Sequence, residues 1–392
     1  MSRCSITSTL KPRRNLSRIL ALIAGISLAA SNSTAAPGWT VTPAPISQQW
    51  SSLASSADGT RLLASVRGNL VYISTNAGFT WSTNSLSNSQ WRAVASSADG
   101  RVLVAASFSG SIFTSTNFGV TWTSNTAPSL KWTAATCSAD GNWFATVAEG
   151  GRIYTCPSSE TIWTARAVTD FWNSIASSAD GSKMVASAMN NFVCTSTNFG
   201  ATWLPTSAPR TNWTSVASSA DGSKLVAVAG GSGTGLVYTS INGGTSWSPA
   251  SAPVGPWNTV ASSSDGTKLA VAGYGGPILT STNSGGQWFS NSAPVEYWSA
   301  ITTSADGAQV IAALAPGPIF STRPLATLAI TNVGTELQIS WPWSSAGFFL
   351  QQKSNLTNNW SVAPGAPTLN KWRNQMQLTP LAAHLIYRLY AP

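Results

Sequence analysis

The chain has 392 residues, enough for one large domain or two of medium size. Only 8% of them are charged, while Trp (19), Gly (32) and Pro (21) are abundant, a composition that suits short strands and turns better than helices. The net charge of +9 is concentrated at the start; without Arg3, Lys11, Arg13, Arg14 and Arg18, 16 basic residues face 12 acidic ones and no basic stripe remains for nucleic acid.

Residues 1–36 read as a secretory signal peptide. A basic stretch ends at Arg18, the apolar run ILALIAGISLAA (Ile19–Ala30) follows, and small residues lead to a cleavage point near Ala35 or Ala36. The apolar run is too short for a membrane span. Arg13-Arg14-Asn15-Leu16 weakly resembles a twin-arginine signal, but Ser17 replaces the second apolar residue, so the general secretory route is favoured. No Cys follows the run, which argues against a lipid anchor. The expectation is an exported monomer, secreted or held in the periplasm or cell envelope, with no membrane insertion after signal removal.

The next 290 residues or so are organised by a repeat. The phrase W-x-x-h-A-S-S-A-D-G begins at Trp50, Trp91, Trp132, Trp172, Trp213, Trp257 and Trp298, with spacings of 41, 41, 40, 41, 44 and 41. In the unit Trp213–Pro256, WTSVASS alternates like a strand and Ala220-Asp221-Gly222 is a hairpin turn signal. KLVAVA, a Gly-rich loop, LVYTSI, a second turn and a strand led by Trp247 complete it. Four antiparallel strands repeated radially make a β-propeller blade. The last unit lacks a fourth-strand Trp, and Trp39 lies 11 residues before Trp50, close to the 10 from Trp81 to Trp91. An N-terminal strand is therefore expected to complete the unit begun by Trp298. The predicted fold class is all-β: a seven-bladed propeller over 37–323, closed by that strand, plus a small sandwich-like domain over 324–392.

The second turn carries an octapeptide, STNFGVTW at Ser115–Trp122, with near-copies from Ser74, Ser196, Ser240 and Ser281. It resembles the Asp-box, Ser-x-Asp-x-Gly-x-Thr-Trp, of sialidases and of many non-catalytic propellers. Here Asn76, Asn117, Asn198, Asn242 and Asn283 stand where that family has Asp. An amide oxygen can accept the same backbone hydrogen bonds, and Asn tolerates left-handed geometry, but the charge is gone, so these turns are poor cation sites. The third unit keeps only the Trp, in TCPSSETIW (Thr155–Trp163). Cys137, Cys156 and Cys194 remain after the signal, with a single His384 and no CxxC pair. No metal, cofactor or disulfide is expected: Cys137 and Cys156 fall on first and third strands, about 9–10 Å apart, against the roughly 7 Å limit for a disulfide. Beyond residue 324, LAIT, ELQISWPW, GFFLQQKSNLT, NQMQLTP and LIYRLY read as short strands; Leu337–Trp341 and Gly347–Gln351 resemble a fibronectin type III-like module.

Sialidases use an arginine triad, a Tyr nucleophile with Glu, and an acid/base carboxylate. No segment here matches those motifs. Seven of the eight Asp sit in the repeated hairpin turn, and only Glu149 with Asp170 could supply a carboxylate pair. In Asp-box propellers the box and hairpin turns share one face, and the variable loops share the other. By that resemblance Arg67, Glu149, Arg152, Asp170, Arg210, Tyr274, Glu296 and Tyr297 lie on the loop face, with Glu149 and Arg152 expected as an ion pair. The seven leading Trp residues are expected to pack between blades, with an aromatic ring for sugars as the alternative. The chain also resembles photosystem II assembly-factor propellers, which bind proteins. The reading is a non-catalytic binding or scaffolding propeller for a protein or glycan; the alternative is a glycan-active hydrolase.

Overall fold

A computed structural model describes residues 38–322, except 88, 109 and 231–234, together with the strands between 329 and 390. The signal-peptide reading of 1–36 lies outside these residues. Among the described residues every regular element is a strand, and Pro37–Pro324 forms one compact unit.

The repeat folds as a four-stranded antiparallel meander. In the first unit Trp50–Ser55, Leu62–Asn69, Val71–Ser74 and Ser82–Thr83 pair in sequence order. The units led by Trp91, Trp213 and Trp257 repeat it. Second strands such as Leu225–Ala229 are apolar without alternation because both of their faces are covered. Each first strand carries a register break directly after its Trp. The third unit keeps the four-strand meander with a tighter corner: Trp143–Pro157 folds back on itself near Gly150 (φ 66°), so that Ser158 N–H reaches Asn142 O at 2.8 Å and the Phe144 ring lies 6.3 Å from that of Trp163. Thr164–Ser177 carries that unit's last strand on into the next unit's first.

The hairpin turn explains why its residues are copied. Ser219 Oγ donates to Asp221 Oδ1 at 2.6 Å, and Oδ1 also accepts from the Ser223 N–H. Ser219 Oγ in turn accepts from the Lys224 N–H at 3.0 Å. Gly222 turns the corner at φ +68°, and a Cβ there would meet Lys183 Cδ at 2.8 Å. The turns are also joined to one another. Ala57 N–H donates to Ala98 O, Ala98 to Ala139, Ala139 to Ala179, Ala179 to Ala220, Ala220 to Ser264, Ser264 to Ala305, and Ala305 back to Ala57, all at 2.7–2.8 Å.

In the octapeptide, Asn117 Oδ1 accepts from Ser115 Oγ (3.0 Å) and Thr121 N–H (2.9 Å), while Ser115 Oγ accepts from Gly119 N–H (2.9 Å). The amide also donates, from Nδ2 to Thr121 Oγ1 at 2.8 Å, which a carboxylate could not do. The octapeptide's Gly takes the left-handed corner, Gly119 at φ 79°, and Phe118 before it joins it at 62°. Phe118 N–H donates to Arg101 O, so both kinds of turn lie at the same end of the sheets.

Trp39–Val41 pairs antiparallel with Ile319–Thr322, Trp39 opposite Thr322. It is the outermost strand of the sheet begun at Trp298, and the Trp39 ring lies 6.2 Å from that of Trp298. In the C-terminal region, Ala329–Val333, Glu336–Pro342, Arg373–Leu378 and Thr368–Asn370 form one sheet; Ser361–Val362, Phe349–Lys353 and Ile386–Tyr390 form another.

Trp39 is half-buried, so Trp39→Ala should cost about 2–3 kcal/mol, less than the 3–5 of a fully buried Trp. Denaturant melts check this, and unchanged stability would refute the closing role. Asp221 and Asp265 are held below the usual carboxylate range by the Ser219 and Ser263 hydroxyls, then by the Ser223 and Thr267 N–H groups. A lowered folded-state value stabilises fully above the unfolded value of about 3.9, and that contribution is lost as pH falls through the folded value. Asp221→Ala should therefore destabilise by about 1 kcal/mol at neutral pH. Melts across acid pH should show the gap from wild type closing below pH ~4.

Candidate functional site: the loop face

The end of the sheets opposite the turns is stitched by the second strand of one unit and the lead-in to the next Trp. Arg67 pairs with Gln90, Glu149 with Phe171, Gly151 with Asp170, Tyr274 with Tyr297, and Gly276 with Glu296. Elsewhere single bridges do the same work, Gln48 to Gly317 and Asn191 to Thr211. The second strand has its other end at the hairpin turn, so these residues necessarily share the far face. Arg210 joins them beside Thr211, its guanidinium 4.1 Å over the Phe192 ring.

Several expectations need correction. Glu149 and Arg152 form no ion pair; the one ion pair among the described residues is Arg101–Asp99, on the turn face. Arg152 Nη1 donates instead to Ala167 O at 3.4 Å. The chain turns between the two at Gly150 (φ 66°), and the register shifts on both sides of Gly151, so nearness in sequence does not bring the side chains together. Glu149 and Asp170 do not make a free carboxylate pair either. Asp170 Oδ1 accepts from Phe171 N–H (2.8 Å) and Oδ2 from Asn191 Nδ2 (2.7 Å). Neither residue lines either of two water-sized cavities found at turn-face seams, one around Arg61 and Phe118 and one around Lys224 and Ser284. The leading Trp residues are no sugar platform, since their exposure is 0–2%. Instead their indoles hold the loops: Nε1 of Trp50, Trp132 and Trp298 donates to Gly317 O, Gly110 O and Gly276 O of the preceding unit. The aromatic residues this face does present are Phe171, Tyr274 and Tyr297, at 58%, 42% and 62% exposure.

First strands of neighbouring units touch one another all the way round, so they surround the axis. The residue after each Trp lies on that inner ring: Ser51, Arg92, Thr133, Asn173, Thr214, Asn258 and Ser299. Five of them bond to the carbonyl of the next unit's Trp: Ser51 to Trp91 (2.8 Å), Thr133 to Trp172 (2.9 Å), Asn173 to Trp213, Thr214 to Trp257 (3.0 Å) and Asn258 to Trp298 (3.2 Å). Ser299 bonds instead to Ala313 O of its own unit at 3.1 Å, and Arg92 makes no such bond. Half-buried, it reaches over the Phe108 ring at 5.3 Å, and Lys131 Nζ lies 5.6 Å from the same ring. Burial and then Arg67 lower its pKa, whereas Glu149 and Tyr274 raise it. Arg67, Glu149 and Tyr274 are thus near enough to act by charge on a residue that sequence reading missed. The available signal was its charge, in a column otherwise filled by Ser, Thr and Asn. Arg152, Asp170 and Arg210 are not among the groups acting on it. Among the described residues, no three His, Cys, Asp or Glu are gathered as for a metal.

Neither a family model nor a curated protein matches the sequence. Solved structures do. The Myceliophteria thermophila Cps50 (Swd1) β-propeller domain aligns with a TM-score of 0.60 at 13% identity, over 73% of this chain and 100% of that one. The fold is a β-propeller. YCF48 from Cyanidioschyzon merolae aligns at 0.59 and 16% identity, over 74% and 99% of the two chains. A structure of YCF48 bound to D1 peptide aligns at 0.57 and 14%, over 75% and 99%. Kuenenia stuttgartiensis hydrazine synthase aligns at 0.55 and 14%, over 69% and 93%. Such identities show the fold alone, one that serves both a peptide-bound protein and an enzyme.

The propeller's three thiols are unpaired. Burial raises all three, Cys156 to about 11 with help from Glu160 and Cys194 to about 12 with help from Asp170. Thiolate is the reactive form, so these residues are poor nucleophiles. Maleimide at pH ~7.5 should leave Cys137, Cys156 and Cys194 largely unlabelled in the native protein and label all three in denaturant, as read by peptide mass mapping.

Proposed function

We propose that this chain is an exported, non-catalytic, seven-bladed propeller that binds a protein partner through its loop face. Residues 37–323 form the ring and 324–392 a small fibronectin type III-like module, with 1–36 removed as a signal peptide. One observation carries the functional reading: the two faces of the same frame are built to different rules. The hairpin and octapeptide turns are near-copies held by the same Ser, Asp and Asn bonds. The opposite loops, SVRGN, AEGGR, AMNN, GYGGP and LAPGP among them, share little. Recognition can vary there without disturbing the core. The face offers exposed Arg67, Arg152, Arg210, Phe171, Tyr274 and Tyr297, and Arg and aromatic residues carry much of the energy at protein interfaces. A YCF48 propeller bound to a peptide supports a protein over a glycan as partner. Against the hydrolase alternative stands Asp170, both of whose oxygens are already engaged.

The test compares a loop-face variant, Arg67, Arg152, Arg210 and Tyr274 each changed to Ala, with a control altered in the same way at Thr75, Thr116, Thr197 and Thr282. The control positions are exposed on the octapeptide turns. Both are used, beside wild type, to capture proteins from native envelope extract and to probe a glycan array. Proteins retained by wild type and control should fall at least tenfold with the loop-face variant. Equal retention by both variants would refute the face assignment, and glycan binding without protein capture would replace the partner class.

A further inference from the structure

We propose that the loop-face end of the inner ring of first strands is a binding site for a small oxyanion, a carboxylate or inorganic phosphate, held by Arg92 with Arg67 and Lys131. Each of the other inner-ring residues is small and uncharged, and five of them commit their polar groups to the neighbouring Trp carbonyl. Replacing such a residue with Arg gives up that bond and places a guanidinium where burial disfavours its charge. Five N–H donors then need acceptors. Arg92 has no hydrogen bond or ion pair with any described residue, and its contact is the face of Phe108, which offers no lone pair. Lys131 shares that ring, and Arg67 comes near enough to oppose the charge of Arg92.

Glu149 is the natural internal counter-ion. Its backbone N–H donates to Lys131 O at 2.9 Å, which fixes it beside the cluster, yet its carboxylate pairs with none of the three cations. Three positive groups against one carboxylate leave an excess positive charge, with Tyr274 close enough to act on Arg92. Partial burial strengthens the attraction for an anion, and the guanidinium fork suits the paired oxygens of carboxylate or phosphate. The ligand must be compact, because Arg92 sits within the ring of first strands while Arg67 and Lys131 are exposed at its rim.

The experiment uses the whole propeller and inorganic phosphate or succinate, titrated against chloride at constant ionic strength, with melting temperature and phosphorus NMR of the phosphate as readouts. Wild type should show a saturable rise in melting temperature and phosphate line broadening that chloride does not reproduce. Arg92→Ser restores the residue type found at Ser51 and Ser299, and should abolish both responses. Arg67→Ala with Lys131→Ala, at the exposed rim, should weaken apparent affinity at least fivefold, and it tests the site even if Arg92→Ser fails to fold. Arg101→Ser on the turn face should respond like wild type. Phosphate alone binding would assign the site to phosphate, and succinate alone to carboxylates. A wild-type response no larger than that of chloride, or one unchanged by both loop-face variants, would overturn the proposal.

Discussion

Seven backbone hydrogen bonds running from Ala57 through Ala98, Ala139, Ala179, Ala220 and Ser264 to Ala305, and back to Ala57, are the constraint on which the rest of the propeller depends. A closed circuit has a property that an open array lacks: the rotation from one unit to the next must sum to a full turn. Each hairpin must therefore present its donor and acceptor at nearly the same angle. That requirement accounts for the near-invariance of Ser-Ala-Asp-Gly within the chain better than any chemistry of the side chains. The Ser and Asp fix the corner, the Gly lets it turn, and the residue between Ser and Asp makes the link. The 44-residue spacing between Trp213 and Trp257 shows where length is tolerated, since the added residues fall in the Gly-rich loop and leave the turn unchanged.

The same constraint governs the octapeptide. A chain with few charges cannot rely on carboxylates to hold all its turns, and the amide of Asn117 supplies both an acceptor for Thr121 N–H and a donor for Thr121 Oγ1. The third unit has lost the motif and keeps the contact that matters by another route, Ser158 N–H to Asn142 O. The octapeptide is thus one solution to joining the outer turn to the inner hairpin. Loss of a copy is survivable, because neighbouring sheets and the closed circuit still hold that unit in place.

Much of this was legible in the sequence because turn chemistry is local. Ser, Asp and Gly at fixed offsets announce the hairpin, and Trp39 could be assigned to the last sheet because that unit lacked a fourth-strand Trp. What escaped reading depended on relations between strands. No local signal shows that Thr164–Ser177 continues from one unit's last strand into the next unit's first. The Glu149–Arg152 pairing failed because the chain turns between them at Gly150, where proximity in sequence is not proximity of side chains. Gly119 takes the left-handed corner that its missing side chain allows, but nothing local marks Phe118 as sharing it; the Asn keeps its amide aimed at the turn and leaves the reversal to its successors.

Arg92 shows a different limit. In its own strand it is an ordinary polar residue following a Trp, with nothing to mark it. Its meaning appears only down the column of equivalent positions, where Ser51, Thr133, Asn173, Thr214 and Asn258 each bind a neighbouring carbonyl and Arg92 does not. A repeat protein carries its own controls: the copies state what the frame requires, and a departure in one copy is offset by the others. Because the frame closes through backbone bonds at the turn face, a substitution on the inner ring near the opposite face leaves the circuit intact. The fold therefore separates the residues that build it from those free to acquire a role, and that separation leaves Arg67, Glu149 and Tyr274, drawn from three different units, within electrostatic reach of one guanidinium.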